Sequence, residues 1–156
     1  MFNIEILGKP SRVECQKPGY KMLQGNIVIG NFSEHLDVPI GYWSADDYFR
    51  QWLEAIKNIV EDKENQNATL ITQMFDPLKK EFGYIIEHWP MHRVGSNVYL
   101  QNKYETAESL AMPFELNNLY KSLDYKKEKT AIESGVSEWC IDISDLQEFA
   151  NRLESR

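Results

Sequence analysis

Residues 42–60, YWSADDYFRQWLEAIKNIV, contain the clearest periodic pattern in the chain. Apolar residues recur there at intervals of three and four positions, which is the spacing of an amphipathic α-helix. They are Phe49, Trp52, Leu53, Ile56 and Val60. Ser44 and Asp47 form an S-x-x-D capping pattern, and Asp46 adds a second carboxylate to the first turn, where the helix dipole favours negative charge. The stretch therefore predicts a helix over residues 45–61, with the side chain of Trp52 in the core.

Two aromatic residues, Tyr42 and Trp43, directly precede the predicted cap. An apolar residue in front of a cap commonly packs against the first helical turn and sets the angle at which the chain enters the helix. Stacking of such rings on a sugar or a base is the alternative interpretation. We expect the packing role for both residues.

Short β-branched and apolar runs on both sides of this helix predict strands. They cover residues 2–7, 25–32, 69–75, 83–94, 97–103 and 136–141. Gly95 and Ser96 separate two of these runs and fit a two-residue type II′ turn, which has glycine first, so we expect a hairpin there. Pro90 lacks a backbone donor, which predicts that its strand is at a sheet edge or is bulged near Pro90.

The C-terminal part of the chain contains a second helical pattern. Ser144 and Gln147 form another capping pattern, and an apolar stripe follows at Leu146, Phe149, Ala150 and Leu153. Residues 114–123 are a weaker helix prediction, and KKEK at 126–129 predicts a solvated loop. Because short turns cannot join parallel neighbours, the predicted class is α+β: a mainly antiparallel sheet with one long amphipathic helix packed across it and a C-terminal helix.

The chain has 156 residues, of which 17 are Lys or Arg and 24 are Asp or Glu, so its formal net charge is −7. A chain of this length buries roughly 68–70% of its unfolded surface, which favours a single soluble domain over residues 1–156. The acidity disfavours direct nucleic-acid binding, because such binding depends on Lys and Arg contacts to phosphate. A basic partner is favoured instead.

The location of the protein is predicted from what the sequence lacks. It has neither a secretory leader pattern nor an apolar run long enough to cross a bilayer. We therefore expect a cytoplasmic protein without membrane association. In that compartment Cys15 and Cys140 are expected to stay reduced, and nothing in the sequence predicts an oligomeric state.

The sequence predicts no catalytic residue, no metal site and no cofactor. It lacks the motifs G-x-S-x-G, G-x-G-x-x-G, G-x-x-x-x-G-K-[ST] and H-E-x-x-H. The best metal candidate combines Glu87, His88 and His92, with His35 as a further ligand. In a strand, however, His88 and His92 would stand roughly 13 Å apart, which is too far for chelation. We interpret these histidines as surface or hydrogen-bonded residues.

Motifs of aromatic, capping and strand residues are spread from about residue 25 to the C-terminus. They are Gly30-Asn31-Phe32-x-Glu34 with Pro39, then Tyr42-Trp43-Ser44-x-Asp46-Asp47-Tyr48-x-x-Gln51-Trp52-x-x-Ala55, Leu70-Ile71-Thr72, Val98-Tyr99-Leu100-Gln101-Asn102 and Ser137-Glu138-Trp139. Together they resemble the immunity proteins of bacterial contact-dependent growth inhibition. The resemblance implies a small cytosolic protein, not an enzyme, that binds the C-terminal toxin domain of the matching cell-surface effector and blocks it.

The resemblance and the net charge favour the same kind of toxin. Many toxins of such systems are nucleases, which are basic because they hold phosphate, and an acidic inhibitor associates faster with a basic target through electrostatic steering. We therefore expect contacts from acidic loops and helix termini. The candidate partner-binding residues are Glu34, Asp37, Asp46, Asp47, Glu54, Glu61 and Asp62. The resemblance itself assigns no contact residue, because the toxin-contacting surface differs with each toxin.

Two other classes of protein stay open on the sequence alone. One is a small cytosolic hydrolase that uses its carboxylates or His88 and His92, and the other is a regulatory or assembly subunit whose partner is not toxic. A hydrolase predicts a deep pocket, whereas an inhibitor needs only a broad surface. A neighbouring reading frame for a large secreted effector would distinguish immunity from both alternatives.

Overall fold

The computed structural model describes residues 1–61, 67–79, 83–106 and 137–156. Over these ranges the chain forms strands β1 (Phe2–Pro10), β2 (Lys21–Ile29), β3 (Phe32–Ile40), β4 (Asn67–Met74), β5 (Tyr84–Val94), β6 (Asn97–Gln101), β7 (Lys103–Thr106) and β8 (Glu138–Asp142), and helices α1 (Ala45–Glu61) and α2 (Ile143–Glu154). Every strand pair in these ranges is antiparallel. The predicted α+β class is therefore confirmed.

The described strands form two sheets. One contains β1, β2 and β3 in that order, and the other has the order β4-β5-β6-β8, with β7 also paired to β5. Helix α1 packs on β4, and α2 lies against α1 and β1. Side chains with no exposed surface fill the core, among them Trp52, Ile56, Leu70 and Trp89. The predicted core position of Trp52 is confirmed.

Helix α1 begins as its sequence predicts. The backbone N–H of Ser44 donates to Asp47 Oδ2 over 2.8 Å, and the N–H of Asp47 donates back to Ser44 Oγ over 3.3 Å. The Trp43 ring meets the Tyr48 ring edge to face, with centroids 5.2 Å apart. Tyr42 is half-buried against the core. The predicted capping box and the packing role of Trp43 are both confirmed.

Polar side chains of α1 hydrogen-bond to the backbone of β4, which ends its sheet among the described strands. Gln51 Nε2 donates to the carbonyl of Thr69 over 2.8 Å, and Gln51 Oε1 accepts from the N–H of Ile71 over 2.9 Å. Trp52 Nε1 donates to the carbonyl of Ile71 over 2.7 Å. The helix is therefore attached to the edge of this strand as well as to its apolar face.

Tyr48 connects the two sheets. Its hydroxyl donates to the carbonyl of Pro39 in β3 over 2.8 Å and accepts from the N–H of Met74 in β4 over 3.0 Å. Burial raises the pKa of the Tyr48 phenol far above its usual value, so the hydroxyl keeps the proton that it donates to Pro39.

The sequence analysis misassigned the first hairpin. The single strand predicted over residues 25–32 is wrong, because β2 ends at Ile29 and β3 begins at Phe32. Gly30 makes the turn between them with a φ of +62°, a conformation that favours glycine. Consequently Glu34 and Asp37 lie on a strand, not on the acidic loop that was expected.

The remaining predicted strands are present with shifted ends, and the run over 97–103 is divided into β6 and β7 at Asn102. The hairpin at Gly95 is confirmed, with a glycine φ of +63° and with Val94 paired to Asn97. Of the two alternatives predicted for Pro90, the edge position is wrong, because β5 lies between β4 and the strands β6 and β7. The register shift of the β4–β5 ladder lies opposite His88 and Glu87, near Pro90 but not at it. On the side of β5 that faces β6 and β7, one segment of β5 pairs with β7 and another pairs with β6. Pro90 lies between these two segments, so its missing N–H affects neither ladder.

The start of α2 also differs from its prediction. Asp142, not Ser144, is the capping residue, since its carboxylate accepts from the N–H of Ser144 over 2.8 Å. The helix predicted over 114–123 and the loop over 126–129 lie outside the described residues. Cys15 is half-buried, Cys140 is exposed, and both are free thiols. Within the described ranges no helix is long and apolar enough to cross a membrane.

Candidate partner-binding surface

Three of the predicted contact residues lie along one side of α1. Asp47, Glu54 and Glu61 are seven residues apart, which places them on the same helical face over about 21 Å. Glu54 and Glu61 are exposed, as is Asp46 in the first turn. Within the described part of the chain, Asp46 and Glu54 have no hydrogen bond or ion pair through their carboxylates, so both are available to a partner.

The carboxylate of Asp47, in contrast, is used by the helix itself. It accepts from Ser44 as described above and pairs with Arg50 Nη2 at 2.7 Å. The backbone hydrogen bond from Ser44 lowers the pKa of Asp47, and the Arg50 guanidinium lowers it further. Its first role is therefore helix capping.

The two predicted residues on β3 have different surroundings. The Asp37 carboxylate accepts from the hydroxyl of Ser11 and lies 3.4 Å from His35 Nε2. Glu34 is exposed and has no such partner among the described residues. Asp62, the seventh predicted contact, lies outside those residues. The predicted set therefore forms two separate groups, one on α1 and one on β3.

A polar group that the sequence analysis missed lies between β3 and β4. Gln73 Nε2 donates to the carbonyl of Asp37 over 2.7 Å, while Gln73 Oε1 is buried and accepts no hydrogen bond. Glu87 is paired in register with Gln73, and its carboxylate accepts from the hydroxyl of Thr72 over 2.5 Å. Although Glu34 is exposed, partial desolvation of its carboxylate raises its pKa, and the negative charge of Glu87 raises it further. We call Glu34, Gln73 and Glu87 the β3–β4 seam.

One sequence signal pointed to this position. Thr72 and Gln73 are adjacent polar residues where alternation would place one apolar residue, and the β4–β5 register shifts between Ile71 and Gln73. In a bulge of this kind two residues oppose one on the partner strand. Thr72 and Gln73 therefore both meet Glu87, which strict alternation along a strand does not predict.

The histidines that were weighed as metal ligands are hydrogen-bonded. His88 Nδ1 lies 2.7 Å from Thr69 Oγ1, and His88 Nε2 lies 3.2 Å from Glu105 Oε1. His92 Nδ1 lies 2.6 Å from Asn67 Oδ1. The hydrogen-bonded interpretation is confirmed for both histidines. Among the described residues no three His, Cys, Asp or Glu side chains are grouped so that they could hold a metal ion.

The Thr69–His88–Glu105 chain places a hydroxyl, an imidazole and a carboxylate in the order of a nucleophilic triad. His88 and Thr69, however, have no exposed surface, so a substrate cannot reach the hydroxyl. The three residues come from β4, β5 and β7. Their hydrogen bonds hold these strands together.

The surface also has an open cleft of about 670 Å³ between the β2–β3 turn and β8. Phe32 and Trp139 stack at its wall with ring centroids 4.4 Å apart, and Trp139 also lies 5.5 Å from the buried Trp89. Because Phe32 belongs to one sheet and Trp139 to the other, this stack joins the two sheets at a point that the hydrogen bonds of Tyr48 and Gln73 do not reach.

Comparison with known proteins identifies the class of this chain. Residues 38–149 match the family model described as the CdiI N-terminal domain. The class is therefore that of the immunity proteins of contact-dependent growth inhibition, which confirms the resemblance seen in the sequence. More particularly, the chain belongs to the CdiI N-terminal domain family.

A curated sequence and a solved structure that this chain resembles both come from Enterobacter cloacae. The chain is 26% identical over 155 residues to the immunity protein CdiI of Enterobacter cloacae subsp. cloacae, and the alignment covers 99% of this chain and 100% of that protein. The fold matches a chain of the CdiA-CT/CdiI toxin and immunity complex from Enterobacter cloacae with a TM-score of 0.78, 24% identity and full coverage of both chains. The second comparison establishes a shared fold.

Proposed function

We propose that this chain binds the C-terminal toxin domain of a matching cell-surface effector and neutralises it by forming a stoichiometric complex in the cytoplasm. Membership of the CdiI family carries the proposal. The similar protein from Enterobacter cloacae is an immunity protein, and the matching fold comes from a toxin and immunity complex. The protein acts by binding alone, without turnover and without a cofactor.

We further propose that the toxin is a basic nuclease. The net charge of −7 supports a basic partner, because it attracts such a partner and repels nucleic acid from the shared surface. Four predicted contacts remain available for this role, namely Glu34, Asp46, Glu54 and Glu61. Asp37 and Asp47 are engaged within the chain, so we assign them a structural role first, and Asp62 stays a predicted contact.

The test is a growth assay combined with co-purification. The C-terminal domain of the effector encoded next to this protein is expressed with and without it, and tagged toxin is recovered from the lysate. We expect growth to be rescued and the two chains to elute as a 1:1 complex. The matched control is the toxin domain of an unrelated effector, which this protein should neither bind nor neutralise. Absence of both rescue and complex would contradict the proposal.

A further inference from the structure

A smaller cleft, of about 260 Å³, opens where the loops that follow β1, β3 and β4 meet. Tyr20, Tyr42, Asp76 and Lys79 are among the residues that line it. A partner can reach these side chains, because Lys79 is exposed and the other three residues are half-buried. The cleft is smaller than the pockets of about 300–1,000 Å³ that hold drug-sized ligands. Its size therefore suits a single side chain of a partner protein.

The side of the cleft that Tyr20 forms is held in place by its neighbours. The Tyr20 ring meets the Phe75 ring edge to face, with centroids 5.1 Å apart, and its hydroxyl accepts from the backbone N–H of Asp76 over 2.9 Å. A Cβ atom at Gly41 would lie 2.6 Å from the Tyr20 ring, so the close approach of these two loops requires glycine there. The cleft is therefore already formed in the free protein.

Asp76 gives the cleft a fixed negative charge. Its Oδ1 atom accepts from the backbone N–H of Leu78 over 2.9 Å, which holds the carboxylate in position. Within the described part of the chain no Lys, Arg or His forms an ion pair with this carboxylate. Burial raises the pKa of Tyr20 and of Tyr42, and the charge of Asp76 contributes to the rise in both. The negative potential of Asp76 therefore extends over both rings.

Tyr42 adds a second aromatic ring to the cleft. The ring is half-buried against the core, and its hydroxyl has no hydrogen-bond partner among the described residues. The face of an aromatic ring is electronegative and attracts a cation within about 6 Å of its centroid. The same chain contains one such contact, since Lys17 Nζ lies 3.7 Å from the centroid of the Phe75 ring. Two tyrosine rings beside a carboxylate therefore favour a cation.

Lys79 is the positive charge at the rim of the cleft. Its side chain is exposed, and over the described ranges its ammonium group forms no ion pair. A lysine of this kind has a flexible stem that keeps its charge in water. The Asp76 carboxylate, in contrast, is held by its hydrogen bond to Leu78. The interior of the cleft therefore stays negative, which favours a cationic occupant over an anionic one.

We propose that this cleft binds the side chain of an arginine of the toxin domain, with the guanidinium group against the tyrosine rings and its N–H groups directed at Asp76. Arginine stacks on aromatic rings, donates two parallel hydrogen bonds to a carboxylate and is less strongly hydrated than lysine. The net charge of −7 attracts a partner that carries such residues. The inference rests on the proposed function and adds one contact to it.

The first test changes the two opposite charges of the cleft, with the toxin domain titrated into each variant by calorimetry. Asp76→Asn keeps an oxygen for the Leu78 N–H and should bind about tenfold more weakly than the wild type, or about 1.4 kcal/mol. Lys79→Gln removes a charge that opposes the arginine and should bind at least as tightly as the wild type. Glu148→Gln, at an exposed position on α2, also removes one negative charge and should bind like the wild type.

The second test separates the ring of Tyr42 from its bulk. Tyr42→Phe keeps the aromatic face and should retain most of the affinity for the toxin domain. Tyr42→Leu keeps apolar bulk against the core without a ring and should bind about tenfold more weakly. The melting temperature of each free variant is measured alongside. A role in packing alone would lower the melting temperature of Tyr42→Leu and leave its affinity unchanged.

Four results would overturn the inference. The first is wild-type affinity of Asp76→Asn. The second is weaker binding of Lys79→Gln, which would assign an anion to the cleft. The third is an equal loss of affinity in Glu148→Gln, which would show an effect of net charge alone. The fourth is equal affinity of the two Tyr42 variants. Failure of the wild-type protein to bind the toxin domain would instead reject the proposed function.

Discussion

The Asp47 carboxylate stabilises the start of helix α1 through contacts within the chain, whether or not a partner is bound. Its carboxylate accepts hydrogen bonds from the backbone and hydroxyl of Ser44 and pairs with Arg50. These interactions favour the ionised form and lower the pKa of Asp47. A carboxylate whose pKa is lowered on folding stabilises the folded state at pH values above its pKa in the unfolded chain, which is about 3.9. That contribution is lost as the pH falls through the pKa of the folded state.

The prediction concerns the variant Asp47→Asn. At pH 7 it should be less stable than the wild type by less than about 1 kcal/mol, because solvent reaches the partly exposed Asp47 side chain and screens its charge. The difference should shrink below pH 4 as the wild-type carboxylate becomes protonated. Urea unfolding at pH 7 and pH 3 measures both values. Asp46→Asn, the neighbouring carboxylate without a capping bond, is the control and should show a smaller difference at pH 7.

At the scale of residues, local roles were predictable and the seam was not. Ser44, Asp47 and Trp43 act within one helical turn, so their spacing in the sequence determines their contacts. Gln73 and Asp37, in contrast, are 36 residues apart and meet only because two sheets bring their edges together. No pattern within either strand encodes that meeting.

At the scale of elements, helix α1 is held on β4 by hydrogen bonds between polar atoms as well as by apolar packing. Gln51 supplies both a donor and an acceptor to the backbone of β4, in the way that a neighbouring strand would. The outer edge of β4 therefore keeps its hydrogen bonds although the chain there faces a helix.

Replacing Gln51 by leucine tests this join. The substitution keeps the apolar bulk but leaves the Thr69 carbonyl and the Ile71 N–H unpaired, and we expect a loss of about 2–6 kcal/mol in the free energy of unfolding, from about 1–3 kcal/mol for each group. Chemical denaturation measures the loss. Gln16→Leu, at an exposed position, should change the stability by less than about 0.5 kcal/mol. Equal stabilities of the two variants would show that the Gln51 bonds contribute nothing.

The elements differed in how well the sequence predicted them. The apolar positions of α1 face one continuous core, so their period is regular and both helix ends were predicted correctly. β3 has one buried half and one exposed half, because it lies at the edge of its sheet beside β4. Apolar and polar residues therefore alternate only weakly along β3. For this reason the sequence analysis placed the adjacent Gly30 inside a strand, although Gly30 forms the turn between β2 and β3.

At the scale of the whole molecule, the excess of negative charge should control the rate of encounter with the toxin. The double variant Glu54→Lys/Glu61→Lys reverses two exposed charges on α1 and leaves the cap at Asp47 intact. We expect its association rate constant to fall by about tenfold at low salt, and the difference to decrease above 0.1 M salt, where the Debye length is about 10 Å. Stopped-flow mixing with the toxin domain measures both effects.

A control with the same change in net charge separates a local effect from a global one. Glu14→Lys/Glu148→Lys reverses two exposed charges elsewhere on the chain. If both double variants slow association equally, the net charge matters and the α1 face does not. If neither variant slows it, electrostatic steering plays no part in the encounter.

The side chains that close the edge of β4 also affect how copies of this protein behave toward one another. An open strand edge offers N–H and C=O groups to any other open edge, and such pairing leads to aggregation. In the folded chain Tyr48, Gln51 and Trp52 occupy those groups. Helix α1 therefore protects this edge from self-association. Detachment of α1 from β4 would make the protein prone to aggregate before its core had unfolded.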